Sequence, residues 1–418
     1  MKLLKMSLAA AMLMGASAFA IENVKVDGDA KLYYGTDDHD YNTEKDDQGN
    51  DMQVKNDNAG LFHQSTSYGE ASLRLGVTAD LTTGVSAGVT MYGISTLGLD
   101  NNLVSATFTG GTKNNFWFGE AWLAGTAGNT TGKVGRMMLD TPLVFSETWS
   151  VAPNTFEAGV ILNQDIPDTT LVAAYVGESN GAAVLGGGLD NEAGDDAQSD
   201  IYDSFYNGAY AFGAINNSWK PLTVQAWYFD AQQAVKAYWL EADLSMSGIV
   251  AGAIYTNNDY GDNIDADFGL ALDGKDSDAY ALKLGFEGSS FAVSAAYSQT
   301  GNDAPAGFNL DGAQSKLYTE AWWNYGYITQ ADTMAYNVTA TYSIADIADL
   351  GAYYTDADQD SAAGNNDLTE LTLEVARSFG PLDAGLYYIF TDAEDQNVDA
   401  AGKSDSYNAV QVYLTYNF

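Results

Sequence analysis

Tyr407–Phe418, YNAVQVYLTYNF, alternates without a break. Val410, Val412, Leu414, Tyr416 and Phe418 fall on one side of an extended chain, and Ala409, Gln411, Tyr413, Thr415 and Asn417 on the other. Successive side chains of a strand point to opposite faces, so the stretch predicts a β-strand with one apolar and one polar face. Chain ends ordinarily fray and are polar. An alternation that runs to a phenylalanine therefore calls for a neighbouring strand and an apolar surrounding.

The same period recurs upstream. Val24, Val26, Ala30, Leu32 and Tyr34 alternate with Lys25, Asp27, Asp29, Lys31 and Tyr33, and Tyr336, Val338, Ala340 and Tyr342 alternate with Asn337, Thr339, Thr341 and Ser343. Alternation of this kind predicts strands near 23–36, 68–79, 85–97, 115–124, 132–139, 156–163, 169–177, 202–215, 221–230, 235–246, 249–257, 278–287, 291–300, 333–343, 348–356, 368–378, 382–392 and 405–418, eighteen in all. The connections alternate as well. Tight ones, such as LTTG at 81–84, GSS at 288–290 and GP at 380–381, are interleaved with long acidic ones at 37–67, 178–201, 258–277, 301–332, 357–367 and 393–404. Only AQQA at 231–234 is short where a long loop is due.

Short turns on one rim and long loops on the other are the pattern of an antiparallel transmembrane β-barrel. A closed barrel pairs every backbone N–H and C=O inside the protein, as hydrocarbon requires, and leaves no sheet edge. The expected fold is thus all-β, a barrel of about 18 strands, with the apolar face of each strand towards lipid and the polar face towards an aqueous lumen. YNAVQVYLTYNF becomes the closing strand, paired with 23–36.

Charge and composition exclude other classes. The 418 residues carry 17 Lys+Arg against 56 Asp+Glu, a net charge of -39. That sign argues against nucleic acid as a partner. Disorder is excluded by 12% aromatics, with 27 tyrosines. No cysteine is present and the histidines are His39 and His63, both in the first long loop, so catalysis by a Cys/His or Ser-His-Asp unit is not expected. Residues 1–20 open with Lys2 and Lys5, continue as an apolar run and end in Ala18-Phe19-Ala20, which reads as a secretory signal peptide cleaved near Ala20. The barrel domain is then 21–418.

The segment after the fifth strand, DTPLVFSETWSVAPN from Asp140, is more apolar than the other long loops. Folding into the lumen as a constriction loop accounts for that. Asp140, Glu147 and Glu157 then supply negative charge at the constriction, facing Lys25, Lys31, Arg74, Lys133, Arg136 and Lys283 on the lumen wall. Opposed charges of this kind set ion selectivity. In DADQDSAAGNND, Asp356, Asp358, Asp360 and Asp367 stand at the first, third, fifth and twelfth positions of a calcium-loop spacing, but Ser361 replaces the glycine and Asp367 the glutamate. Ca2+ is the one cofactor this raises.

GRMMLDTPLVFSETWSVAPNTFEAGVILNQDIPDTTLVAAYV, residues 135–176, resembles the matching stretch of the major outer-membrane porins of campylobacter-like bacteria and, more distantly, of the substrate-specific porins of pseudomonads. The signal peptide and the first and last strands resemble the former family too. The resemblance implies an eighteen-stranded, often trimeric channel in a Gram-negative outer membrane that passes ions and small hydrophilic solutes, with Arg136 and 140–157 at the constriction. Some members of that family hold calcium in the pore. Phe418 resembles the C-terminal aromatic signature read by outer-membrane assembly machinery. With only Arg74, Arg136 and Arg377, the chain lacks the arginine ladder of the pseudomonad channels. The reading is therefore a cation-preferring diffusion channel contacting lipid and lipopolysaccharide. A solute-specific channel, or a surface-layer or adhesin protein, is the alternative.

Overall fold

The computed structural model describes residues 21–45, 51–57, 59–95, 114–181, 202–262, 264, 271–360 and 366–418. Residues 1–20, 96–113 and the acidic stretch 182–201 lie outside them. The strands are β1 (Glu22–Asp37), β2 (Tyr41–Lys45), β3 (Asp51–Lys55), β4 (Ser67–Thr82), β5 (Val85–Ser95), β6 (Asn114–Ala127), β7 (Thr130–Met137), β8 (Phe156–Asn163), β9 (Thr169–Ser179), β10 (Asp203–Asn216), β11 (Leu222–Ala231), β12 (Val235–Met246), β13 (Ile249–Tyr260), β14 (Asp276–Glu287), β15 (Phe291–Thr300), β16 (Thr333–Ile344), β17 (Ala348–Gln359), β18 (Leu368–Phe379), β19 (Leu382–Ala393) and β20 (Tyr407–Asn417).

Eighteen of these form one closed antiparallel sheet, each strand paired with its chain neighbour and β20 with β1; β2 and β3 form a separate hairpin in the first long loop. That hairpin is not among the eighteen expected strands. Closure runs from Asp29 opposite Asn417 to Asp37 opposite Ala409. Gly28 and Phe418 exchange both backbone hydrogen bonds at 2.9 Å. The turn at 232–234 is as tight as expected, with Gln233 at φ 69°, so the long-loop rim drops at β11–β12.

Alternation sorts the side chains into two rows. Tyr33, Glu70, Ser72, Tyr92, Trp239 and Gln411 are buried on the inner row. The outer row carries exposed Leu73, Leu240, Leu282, Leu284, Val338 and Leu386. Tyrosines gather on the outer row near the long-loop ends, with Tyr175 opposite Tyr210, Tyr228 opposite Tyr238, Tyr255 opposite Tyr280 and Tyr297 opposite Tyr336. Trp219, Phe286, Phe291, Tyr342 and Phe379 mark the short-turn end. Among the described residues no helix is long and apolar enough to cross a membrane.

The hydrophobic core lies inside the barrel. Small inner-row residues (Ala237, Ala279, Ala281, Ala335 and Ala357) leave room against the wall, and loops fill it. The 138–155 loop contributes Leu143 and Val144, and the 301–332 loop contributes Ala306, Phe308, Leu310, Leu317 and Ile328. The constriction is thus made by two loops rather than one.

Candidate functional site

The two loops are latched to each other through buried polar groups. Leu310 N–H donates to Leu143 O at 2.8 Å. Glu147, 1% exposed, accepts from Asn309 Nδ2 at 2.9 Å, Gln314 N–H at 2.7 Å and Trp149 Nε1 at 3.0 Å. Its own N–H donates to Asn154 Oδ1 at 2.6 Å. Asn154 Nδ2 donates to Asp311 at 2.5 Å, and Ser179 Oγ donates to the other oxygen of the same carboxylate. Gly312 is required by this closeness, because a Cβ there would stand 2.1 Å from Glu147 Oε1. Opposite, Glu370 of β18 accepts the backbone N–H groups of Trp322, Trp323 and Asn324 at 2.8, 3.1 and 2.8 Å, and Asn324 Nδ2 at 2.8 Å. The 301–332 loop is therefore held at both sides of the lumen.

Beneath the latch is a cavity of about 550 Å³. Its walls are rich in aromatic rings, with Trp149 and Trp322 from the loops and Tyr353, Tyr387 and Tyr413 from the barrel. Trp322 stacks on Tyr387 at 4.3 Å, and Tyr413 lies 4.8 Å from Tyr33. Tyr353 and Tyr387 both donate to Glu374, at 2.6 and 3.0 Å. Lys31 lines the same space with no hydrogen-bond or ion-pair partner among the described residues.

The expected opposition of an acidic loop and a basic wall is replaced by local pairing. Arg74 is neutralised on the wall by Asp29 at 2.5 Å and Asp27 at 2.6 Å. Arg136 and Glu157 pair with each other across β7 and β8 at 2.5 Å; Arg136 also donates to Phe118 O at 2.8 Å and lies over the Tyr202 ring. Asp140 pairs with Lys316 of the second loop. Lys133 sits over Trp122, and Lys283 over Tyr318 with Asp243 at 3.9 Å. Lys25 is exposed at the short-turn end of β1. Glu147 serves as the centre of the latch rather than as a pore-lining charge, since burial keeps it from water.

The 301–332 loop, with Asn309, Asp311 and Glu320, was not singled out by sequence, nor was Glu370. A signal was present. GFNLDGAQSKLYTEAWWNYGYI carries the same apolar excess that marked the first loop, and alanines recur on the inner positions facing it. Of the calcium spacing, Asp356 and Asp358 fall on β17, Asp360 and Asp367 lie beyond it, and 361–365 between them are outside the described residues. Asp356 there accepts from Tyr354 and Thr369 at 3.2 and 3.0 Å, and Asp367 accepts from Gln359 N–H at 2.9 Å. An extended strand separates alternate carboxylates, and no group of three potential metal ligands occurs among the described residues.

Burial pushes the Asp311 carboxyl up to about 8, against the pull of its Ser179 and Asn154 donors and with a further push from Glu147. Burial likewise holds the Glu320 carboxyl well above the usual range. In the folded state Asp311 keeps its proton between the ordinary carboxylate value and about 8, while an opened loop loses it. The folded state therefore binds more protons, and the latch weakens as pH rises through that window and levels off above it. Brief openings in single-channel records should grow more frequent from pH 6 to 8.5, and Asp311→Asn should flatten that dependence.

No family model matches the chain, and no curated protein matches it. Solved structures do. The chain is similar to Pseudomonas aeruginosa OccK8 (OprE), with a TM-score of 0.70 and 15% identity over 96% of this chain and 99% of that one. It is similar to P. aeruginosa OpdK with vanillate, at 0.70 and 13% over 95% and 99%. It is also similar to Acinetobacter baumannii OccAB1, at 0.69 and 14% over 96% and 98%. At these identities the shared property is the fold: a closed eighteen-stranded barrel over nearly the whole chain.

Proposed function

We propose that the chain is an outer-membrane porin of a Gram-negative bacterium, a water-filled channel for passive diffusion of ions and small hydrophilic solutes that prefers cations. The observation that carries this is a closed barrel, apolar outside and polar inside, narrowed by two inward loops. It catalyses no reaction in this reading. Removal of 1–20 near Ala20 precedes assembly, Phe418 serves as the assembly signal, and three copies associate. The likeness of 135–176 to campylobacter-type porins supports the same reading. A surface-layer protein has no need of an apolar outer row.

Cation preference rests on the net charge of -39 and on inner-row acids such as Glu120. Reversal potentials in a salt gradient across a planar bilayer test it. The permeability ratio should favour potassium over chloride at 0.1 M and fall towards unity at 1 M, as the Debye length shortens from about 10 Å to about 3 Å. An anion preference, or no conductance, overturns it.

The aromatic cavity with the uncommitted Lys31 favours a second reading, a solute-selective channel. OpdK was solved with vanillate. Saturable block of ion current by an aromatic acid, lost in Lys31→Gln, would favour this reading over simple diffusion.

A further inference from the structure

Two ionisable side chains of opposite kind line the cavity beneath the latch, each with a polar atom that nothing in the protein matches. Lys31 comes from β1 on the barrel wall, and Glu320 from the inward 301–332 loop. Glu320 Oε1 accepts the N–H groups of Ala321 at 3.1 Å and Gly326 at 3.4 Å. Its Oε2 is buried and has no hydrogen-bond partner among the described residues. Other lumen charges are matched locally, as Arg74 is by Asp29 and Lys316 by Asp140. A buried polar atom without a partner costs free energy, so one that lines a lumen cavity marks where a solute's own polar group fits.

The space between the two suits a ring. Trp322, stacked on Tyr387 at 4.3 Å, supplies a flat apolar wall. A volume of about 550 Å³ is that of a small-molecule site. A solute carboxylate satisfies Lys31 and leaves Glu320 Oε2 unmatched. A solute ammonium satisfies Glu320 and meets Lys31 as a like charge. A zwitterion satisfies both. Burial disfavours the Glu320 anion, and an ammonium set against it offsets that penalty. The aromatic faces attract the same ammonium.

We infer that the cavity is a selectivity site for ring-bearing zwitterions of the aromatic amino-acid class, with the carboxylate on Lys31 Nζ, the ammonium on Glu320 Oε2 and the ring against the Trp322–Tyr387 stack. The inference rests on the solute-selective reading of the channel and narrows it from acids to zwitterions. Because Lys31 belongs to the wall and Glu320 to the loop, a bound zwitterion bridges the two sides of the throat and interrupts the ion current.

Three probes on one carbon skeleton test this in planar bilayers: L-phenylalanine, 3-phenylpropionate, which lacks the ammonium, and phenethylamine, which lacks the carboxylate. L-Phenylalanine should block the current saturably at a concentration about tenfold or more below either of the others, since each charged hydrogen bond contributes at least that factor. Lys31→Gln should bring L-phenylalanine to the level of phenethylamine, and Glu320→Gln to the level of 3-phenylpropionate. The block that each variant retains shows that its cavity is still formed. Lys220→Gln, which removes a positive charge at an exposed short turn, should change nothing. Block by 3-phenylpropionate as strong as by L-phenylalanine, or a Glu320→Gln channel that blocks like the wild type, overturns the zwitterion site and leaves an acid-selective channel. Absence of saturable block by all three overturns the solute-selective reading itself.

Discussion

Glu147→Ala should open the channel. The substitution leaves Asn309 Nδ2, Gln314 N–H and the Trp149 indole N–H without their acceptor in a buried network. Each orphaned donor costs about 1–3 kcal/mol, so the latch loses at least about 3 kcal/mol. At 1.4 kcal/mol per decade, the equilibrium between seated and released loops moves roughly a hundredfold. Planar-bilayer recording should show single-channel conductance raised several-fold, with larger noise. Glu147→Gln keeps an acceptor oxygen and should fall between. Wild-type conductance in Glu147→Ala would mean that the latch does not set the throat.

Gly28→Val should block closure. A Cβ at Gly28 would stand 2.5 Å from Arg74 O and 2.6 Å from the Phe418 ring, where β20, β1 and β4 meet. Backbone cannot yield there without disturbing the paired bonds between Gly28 and Phe418. Overpacking of this kind costs about 1–3 kcal/mol, enough to lower assembled yield roughly tenfold. The heat-modifiable band on an unheated gel measures it. Gly132→Ala is the control, since nothing lies within 4 Å of the added carbon, and it should assemble normally.

The barrel was legible because its cause is local. Period-2 alternation, repeated from Val24 to Phe418, states at each residue which side meets water, and turn length states which rim a connection occupies. Strand ends were off by up to three residues where tertiary contacts decide them, as at β4, which runs to Thr82 rather than 79, and β7, which stops at Met137 rather than 139. The constriction was half legible. The apolar excess of 140–155 announced an inward loop, but partner choice did not show. Asp140 could have faced any lumen base; the fold brings it Lys316, 176 residues away. Glu147 looks from sequence like any acid in an acidic loop, and only the crossing of two loops makes it buried. Arg74 finds its acids on the neighbouring strand because register sets Asp29 opposite it.

The principal hydrophobic core occupies the passage itself, with Leu143, Val144, Leu310, Leu317 and Ile328 packed against inner-row alanines. In most proteins the residues that keep the fold together and those that set the working aperture can change independently. Here they are the same residues. A lineage under pressure to admit larger solutes must thin its own core to do so, and an engineer widening this channel must first restore stability elsewhere, most simply on the outer wall.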